Sequence, residues 1–401
     1  MSDKAFTRMM EGNEAAAWGA KLSRAEVVPA YPITPQTELI STIASLIDNG
    51  TMTAQYIKVE GEHTAMAAAC GASAAGARVF TASSAQGVAY MEEALWMPPG
   101  LRLPIVMCFV NRSLAPLGSL RPDHNAALMQ RDNGWIQLYC ENSQEVLDTI
   151  IMSFKIAEHK DVYLPVGPCY DGYTVSATAT VTHVPDQQLV DDFLPPYVHE
   201  MWEMDPRKDY RRPPREPVFA KARYEVEKAH QRAKKIIEDV ETEFGKVFGR
   251  YYDGFIEEYM CEDADAVLIT MGSMTGTARD VIDEMRADGN RIGLVKLRGF
   301  RPFPTEEFQK IAKKYKALAM VDRNNSYGSA GGGIVSMELA RALYPLEDRP
   351  LLLNFHVGLG GSDVTLEQIE YMANKTLEAV KTGKVPETVD WVELKDIGGV
   401  N

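Results

Sequence analysis

Cysteine is scarce in this 401-residue chain, and its five copies, Cys70, Cys108, Cys140, Cys169 and Cys261, stand far apart. No two of them form the C-x-x-C pair on which zinc sites and iron–sulfur clusters usually rest, so the chain is expected to hold neither, and no metal ligands are assigned. Long apolar runs are missing as well. No window approaches the roughly 18 apolar residues of a membrane span, and the opening Met1-Ser2-Asp3-Lys4 is charged where a signal peptide would be apolar. The expectation is a cytoplasmic protein without membrane contact. A basic excess is also absent: 42 Lys and Arg face 56 Asp and Glu, a net charge of −14 spread along the chain, which argues against tracking the phosphates of a nucleic acid. Gly328-Ser329-Ala330-Gly331-Gly332-Gly333 is rich in glycine but has neither a G-x-G-x-x-G register nor a following G-K-[ST], and reads as a packing turn.

What remains is an ordinary globular composition, 45% hydrophobic, in a chain long enough for two or three domains. Short apolar runs at Val27–Ala30, Val79–Ala82, Ile105–Val110 and Val162–Val166 alternate with helical patterns. The helices are expected over 63–77 and over Ser143–His159, where Val146, Ile150, Phe154 and Ala157 recur at helical spacing. Such alternation predicts a parallel sheet covered on both faces. Prolines 185, 195, 196, 206, 213, 214 and 217 then interrupt it as a linker or wrapping arm. A long helix follows over about 219–244, with an apolar stripe at Phe219, Ala222, Val226, Ala229, Ala233, Ile237, Val240 and Phe244. A second α/β unit begins near Asp263, with strands at Ala266–Ser273, Ile292–Leu297 and Ala317–Val321 and a helix over about 277–288. The expected division is 1–184, 185–260 and 261–401, an α/β fold throughout.

Two segments stand out chemically. In Tyr31-Pro32-Ile33-Thr34-Pro35 the prolines fix φ and bias their neighbours toward extended or turn geometry, which sets the Thr34 hydroxyl on a stiff loop after a strand. About thirty residues later, Val59-Glu60-Gly61-Glu62-His63 opens an Ala-rich helix. Glu62 there reads by itself as a first-turn acid complementing the helix dipole. Arg112 follows the strand ending at Val110, a place where arginines are usually solvated or ion-paired. Ser83-Ser84-Ala85-Gln86-Gly87 follows another strand, and its small residues let backbone come close to a ligand. The loop Leu114–Asn125 adds the ionisable Arg121, Asp123 and His124, which line a pocket or cap a loop equally well.

Taken with Arg301-Pro302-Phe303-Pro304 and Gly358-Leu359-Gly360-Gly361, this order of segments resembles the α subunit of the multi-subunit 2-oxoacid:ferredoxin oxidoreductases, the pyruvate:ferredoxin oxidoreductase family, over nearly the whole chain. The resemblance implies a thiamine pyrimidine-binding domain at 1–184, a linker and helix at 185–260, and a transketolase C-terminal-like domain at 261–401. It implies Glu62 as the catalytic carboxylate at the aminopyrimidine, with Glu60 as its competitor. Thr34 and Arg112 become the clamp for a 2-oxoacid carboxylate, with Arg121, Asp123 and His124 near the same pocket. Pro32, Ser84, Gln86 and Gly87 become neighbours of the cofactor.

The Gly-Asp-Gly motif that anchors thiamine diphosphate and its Mg²⁺ is absent, so the resemblance implies half a cofactor site here and the other half in a β subunit. Iron–sulfur clusters would lie in γ- and δ-type partners, the complex would be a dimer of heteromers, ferredoxin or another acceptor would take the electrons, and coenzyme A would take the acyl group. Pyruvate is the family's default substrate. The Leu114–Asn125 loop departs from the pyruvate pattern, and the segments at 9–15 and 134–137 look similar to the phenylglyoxylate branch. The oxalate branch resembles an arginine where this chain has Thr34. A non-redox thiamine carboligase half and a non-catalytic scaffold are the remaining readings.

Overall fold

The computed structural model describes residues 4–202, 204–205, 207–212 and 217–396. Pro206, Pro213 and Pro214 of the expected arm lie outside the described residues. Two sheets organise the chain. The first places its strands in the order Gly299–Arg301, Ile136–Cys140, Val166–Asp171, Val106–Asn111, Phe80–Ser83, all parallel except the first. A parallel pair, Val27–Ala30 with Gln55–Lys58, adjoins it through a bridge between Val27 and Val79. The strand Val106–Asn111 is buried at every position, which is why it reads as an unbroken apolar run. The second sheet runs Asp390–Trp391, Leu351–His356, Ala317–Asp322, Ala266–Thr270, Ile292–Leu297, Ile256–Tyr259, parallel except for the last strand.

Most expected elements form within a few residues of their expected limits: helices Glu62–Ala74, Ser143–Ala157, Phe219–Phe248 and Met274–Ala287. Asn142 caps the second of these by accepting from the Glu145 N–H. Three expectations need correction. Val162–Pro165 is not strand; pairing begins at Val166, because the run that precedes it is buried as a turn between helix and sheet. The stripe of the long helix is buried only from Ala229 onward, and Phe219 is 75% exposed, because the first turns project past the core. The chain also does not divide cleanly near residue 261: after Ile292–Leu297 it returns to the first sheet, where Gly299–Arg301 pairs with Ile136–Cys140.

Buried charge ties the two sheets together. Arg298 bonds Glu145 at 2.8 Å and also Glu241 on the long helix, and Lys296 bonds Glu145 and Glu141. Burial by itself raises the Glu145 carboxyl, but Lys296 and Arg298 outweigh it and hold the group below its ordinary value.

Candidate active site

The carboxyl ends of the neighbouring strands Phe80–Ser83 and Val106–Asn111 face the loop Tyr31–Pro35 and the start of the helix Glu62–Ala74. Open parallel sheets characteristically bind ligands at such ends. Glu62 is the first residue of its helix and 7% exposed, whereas Glu60 is exposed and lies 3.4 Å from the Thr64 hydroxyl. The Glu62 side chain lies flat on Gly87: a Cβ there would come within 2.6 Å of Glu62 Oε1 and 2.5 Å of Ser83 Oγ. No larger residue fits at 87 with this carboxylate in place.

Two hydrogen bonds hold the proline loop in shape. Gln36 donates to the Ala82 carbonyl at 2.9 Å and Asn13 donates to the Pro35 carbonyl at 2.7 Å. Asn13 accepts in turn from the Tyr170 hydroxyl. Thr34 is exposed, and its carbonyl, not its hydroxyl, meets Arg112, which donates from Nη1 at 2.6 Å. Arg112 Nη2 donates to the Gln86 side-chain oxygen. Partial burial lowers the guanidinium's pKa from its ordinary value, yet an arginine stays charged in such a setting.

Around these groups, buried polar atoms lack protein partners among the described residues: Ser83 Oγ, Ser84 Oγ, Gln86 Nε2, both side-chain amide atoms of Asn111, and Arg112 Nε. Buried polar atoms are bonded in nearly all folds, so a cluster of orphans at one end of a sheet marks a place shaped for a polar ligand. Asn111 is an addition to the residues expected from sequence, and Ser83, expected there only as part of the turn Ser83–Gly87, joins it. The available signal was position alone, each being the last residue of a strand in a parallel sheet.

His124, Asp123 and Arg121 are engaged elsewhere. His124 is fully buried, its Nε2 2.9 Å from Asp171 Oδ1. Asp171 accepts also from the Ser273 N–H and hydroxyl and lies near Arg323, both in the second unit. Burial raises the Asp171 carboxyl, but His124, Arg323 and Ser273 outweigh it and hold the group well below the usual carboxylate range. Asp123 accepts from the Asn125 and Gly360 N–H groups, and burial raises its pKa. Arg121 is exposed and pairs with Asp363 at 3.3 Å. All three join the Leu114–Asn125 loop to its supports, and of their polar atoms only His124 Nδ1 stays buried without a protein partner among the described residues.

The glycine-rich turn before the helix Ile334–Leu343 serves packing. The first backbone N–H groups there already have acceptors, Gly333 on Asn354, Ile334 on Asn324 and Ser336 on Asp322. Among the described residues no three His, Cys, Asp or Glu side chains gather as metal ligands, and no helix is long and apolar enough to cross a membrane.

A buried acid against a glycine, beside a partly buried arginine at the mouth of a parallel sheet, is an arrangement suited to a cofactor-using α/β enzyme domain. Residues 18–242 match the family described as pyruvate flavodoxin/ferredoxin oxidoreductase, thiamine diP-binding, and residues 264–369 match pyruvate:ferredoxin oxidoreductase core domain II. The chain belongs to this family of 2-oxoacid:ferredoxin oxidoreductases.

It is 44% identical over 398 residues to ketoisovalerate oxidoreductase subunit VorA of Pyrococcus abyssi, covering 98% of this chain and 99% of that protein. It is 41% identical over 398 residues to pyruvate synthase subunit PorA of Pyrococcus furiosus, covering 97% and 98%. Among solved structures, 2-oxoglutarate:ferredoxin oxidoreductase from Magnetococcus marinus superimposes with a TM-score of 0.68 at 20% identity, over 93% of this chain and 65% of that one. A split-gene transketolase superimposes at 0.52 with 12% identity, over 92% and 97%. The expected thiamine-type α/β architecture with a transketolase-like second unit agrees with these folds.

Proposed function

We propose that this chain is the α-type subunit of a 2-oxoacid:acceptor oxidoreductase that supplies the pyrimidine side of a thiamine diphosphate site and the clamp for the substrate carboxylate. The observation that carries the reading is the convergence of buried Glu62, packed on Gly87, with the orphaned polar atoms of Ser83, Ser84, Gln86, Asn111 and Arg112. These residues fit the cofactor. Glu62 would hold the proton on the pyrimidine ring nitrogen, Gly87 and Ser84 would let the ring approach, and Pro32 would close one side. When bound, thiamine diphosphate supplies a nucleophilic carbon and an electron sink for loss of CO2.

Arg112 keeps three of its five N–H donors, Nε among them, after bonding Thr34 and Gln86, and these receive the 2-oxoacid carboxylate. The exposed Thr34 hydroxyl donates to a second substrate oxygen. Oxidation to the acyl-CoA sends two electrons to iron–sulfur partners and on to ferredoxin or a like acceptor. The missing Gly-Asp-Gly motif supports a diphosphate and Mg²⁺ site in a partner subunit. Exposed Tyr31 and Tyr90, the latter 65% exposed while packed on Gly61, belong to the face that this partner covers. Pyruvate is the default substrate, since the PorA relatives bear its name, and the VorA relatives make the branched 2-oxoacid ketoisovalerate the second reading. The compartment is the cytoplasm.

The test is to purify the complex, identify its subunits, and assay a panel of 2-oxoacids with an artificial electron acceptor and coenzyme A. Turnover of one or more 2-oxoacids with copurifying iron is expected. A complex without iron that condenses two carbonyl compounds instead would establish the carboligase reading, and a complex inert to every member of the panel would point to a scaffold.

A further inference from the structure

Gln86 was expected from sequence to sit beside the cofactor. Its side-chain oxygen is bonded to Arg112 Nη2, while the Thr34 carbonyl takes Nη1 at 2.6 Å. Two neutral acceptors, one from the proline loop and one from the short helix Ala85–Tyr90, therefore fix the plane of the guanidinium. Both are uncharged, which is unusual for a partly buried arginine, whose commonest close partner is a carboxylate. The same amide leaves its Nε2 buried with no protein partner, and Arg112 Nε is likewise unpartnered. A carboxylate at position 86 would hold the guanidinium at least as firmly but would neutralise it, and a substrate carboxylate would then have to compete with it.

Resting on the functional reading above, we propose that Gln86 is a positioning residue for the substrate: with the Thr34 carbonyl it aims Arg112 at the 2-oxoacid carboxylate, and its neutrality reserves the guanidinium's charge for that carboxylate. The substrate class this implies is any small acid with a carboxylate next to a carbonyl, independent of the group beyond. Gln86 makes no covalent or proton-transfer contribution.

The experiment uses the assembled holo complex with Gln86→Glu and Gln86→Met, two changes that keep side-chain length. It reads KM for the preferred 2-oxoacid, the calorimetric dissociation constant of oxamate as an unreactive carboxylate probe, and the dissociation constant of thiamine diphosphate after stripping and reconstitution. Gln86→Glu is expected to raise KM and the oxamate constant by about tenfold or more, since it sets a fixed charge against the clamp. Gln86→Met, which only loosens the clamp, should raise both by roughly three- to fivefold. Cofactor affinity should move less than about twofold in either variant if the role of Gln86 runs through its oxygen's bond to Arg112.

The order of the two variants separates this role from a structural one, because a packing residue would tolerate the isosteric Glu better than Met. Oxamate binding unchanged in Gln86→Glu, or a Met variant weaker than the Glu variant, would overturn the proposal. So would loss of cofactor affinity with oxamate binding intact, which would return Gln86 to the cofactor. A wild-type complex that turns over no 2-oxoacid would instead sink the functional reading itself, and the proposal with it.

Discussion

Glu62 carries its meaning through surroundings that one-dimensional sequence does not display. A first-turn glutamate is ordinarily exposed; this one is 7% exposed and pressed onto a glycine whose Cβ would come within 2.6 Å of its Oε1. Glu62→Gln should leave folding and assembly intact and lower 2-oxoacid turnover by at least ~10²-fold, the usual worth of a proton-holding contact in the transition state. Steady-state rates on the assembled complex decide it, and near wild-type turnover would move the role to Glu60. Position and residue type set Glu62, Thr34 and Arg112 at a helix start, a proline loop and a strand end, but only the family resemblance gave those positions an expected role. The partners of those groups were not legible. That Arg112 bonds the Thr34 carbonyl, that Gln86 faces the arginine, and that Asn111 and Ser83 are left unpartnered all depend on which loops meet across a sheet, and no spacing encodes that.

Among the elements, the turn Gly358–Gly361 has the most direct bearing on the site although it lies in the second unit. It receives the Leu114–Asn125 loop: the Ser119 N–H donates to the Gly360 carbonyl at 2.8 Å, and Asp123 accepts from the Gly360 N–H. Gly361 has φ +92, and a Cβ there would meet Ser119 Oγ at 2.2 Å and Arg121 Cβ at 2.7 Å. Ser113, next to Arg112, closes the same loop by donating its N–H to the Arg121 carbonyl. Gly361→Ala should therefore displace the loop, cost roughly 1–3 kcal/mol of stability through strain and overlap, and raise KM for the 2-oxoacid with little change in cofactor affinity. Thermal melts and a KM measurement check it; an unchanged KM would show the loop to be a spectator. Helices and inner strands of both units were readable from period and apolar runs. The return of Gly299–Arg301 to the first sheet was not, since three residues pairing with a strand more than a hundred residues earlier leave no periodic trace. Leu351–His356 also escaped notice, because the apolar run is short, begins half-buried after Asp348-Arg349-Pro350 and is interrupted by Asn354.

On the scale of the whole molecule, the groups that dock the two sheets are titratable. Glu145 and Asp171 are held below their ordinary pKa values in the fold. A carboxylate with a depressed folded pKa contributes stability that is present above its unfolded value and is lost as pH falls through the folded value, so the contribution of these two is complete above the ordinary carboxylate range and declines below it. Histidines set the milder limit. His199, His230 and His356 are all brought down to about 4 by burial, and each is kept neutral in the fold while the unfolded chain takes up a proton near its ordinary value of 6.5. Their stabilisation is complete above that ordinary value and declines as pH falls toward about 4. Asp322 opposes them, its carboxyl raised to about 6 by burial, since the protonated form is favoured in the fold and stability on its account increases as pH falls. The balance is therefore best tested at one group. His230 lies on the long helix and its Nε2 donates to the Gly134 carbonyl at 3.0 Å, a bond that a glutamine amide can replace without a titrating ring. Between pH 7 and pH 5 the wild-type chain should lose about 2 kcal/mol on His230's account, and His230→Gln should lose correspondingly less over the same interval even if it is less stable at pH 7. Thermal melts of both proteins at the two pH values give the comparison. Parallel losses would show that His230 takes up its proton in the fold as readily as in the unfolded chain, and the acid sensitivity would then have to be sought in His199 and His356.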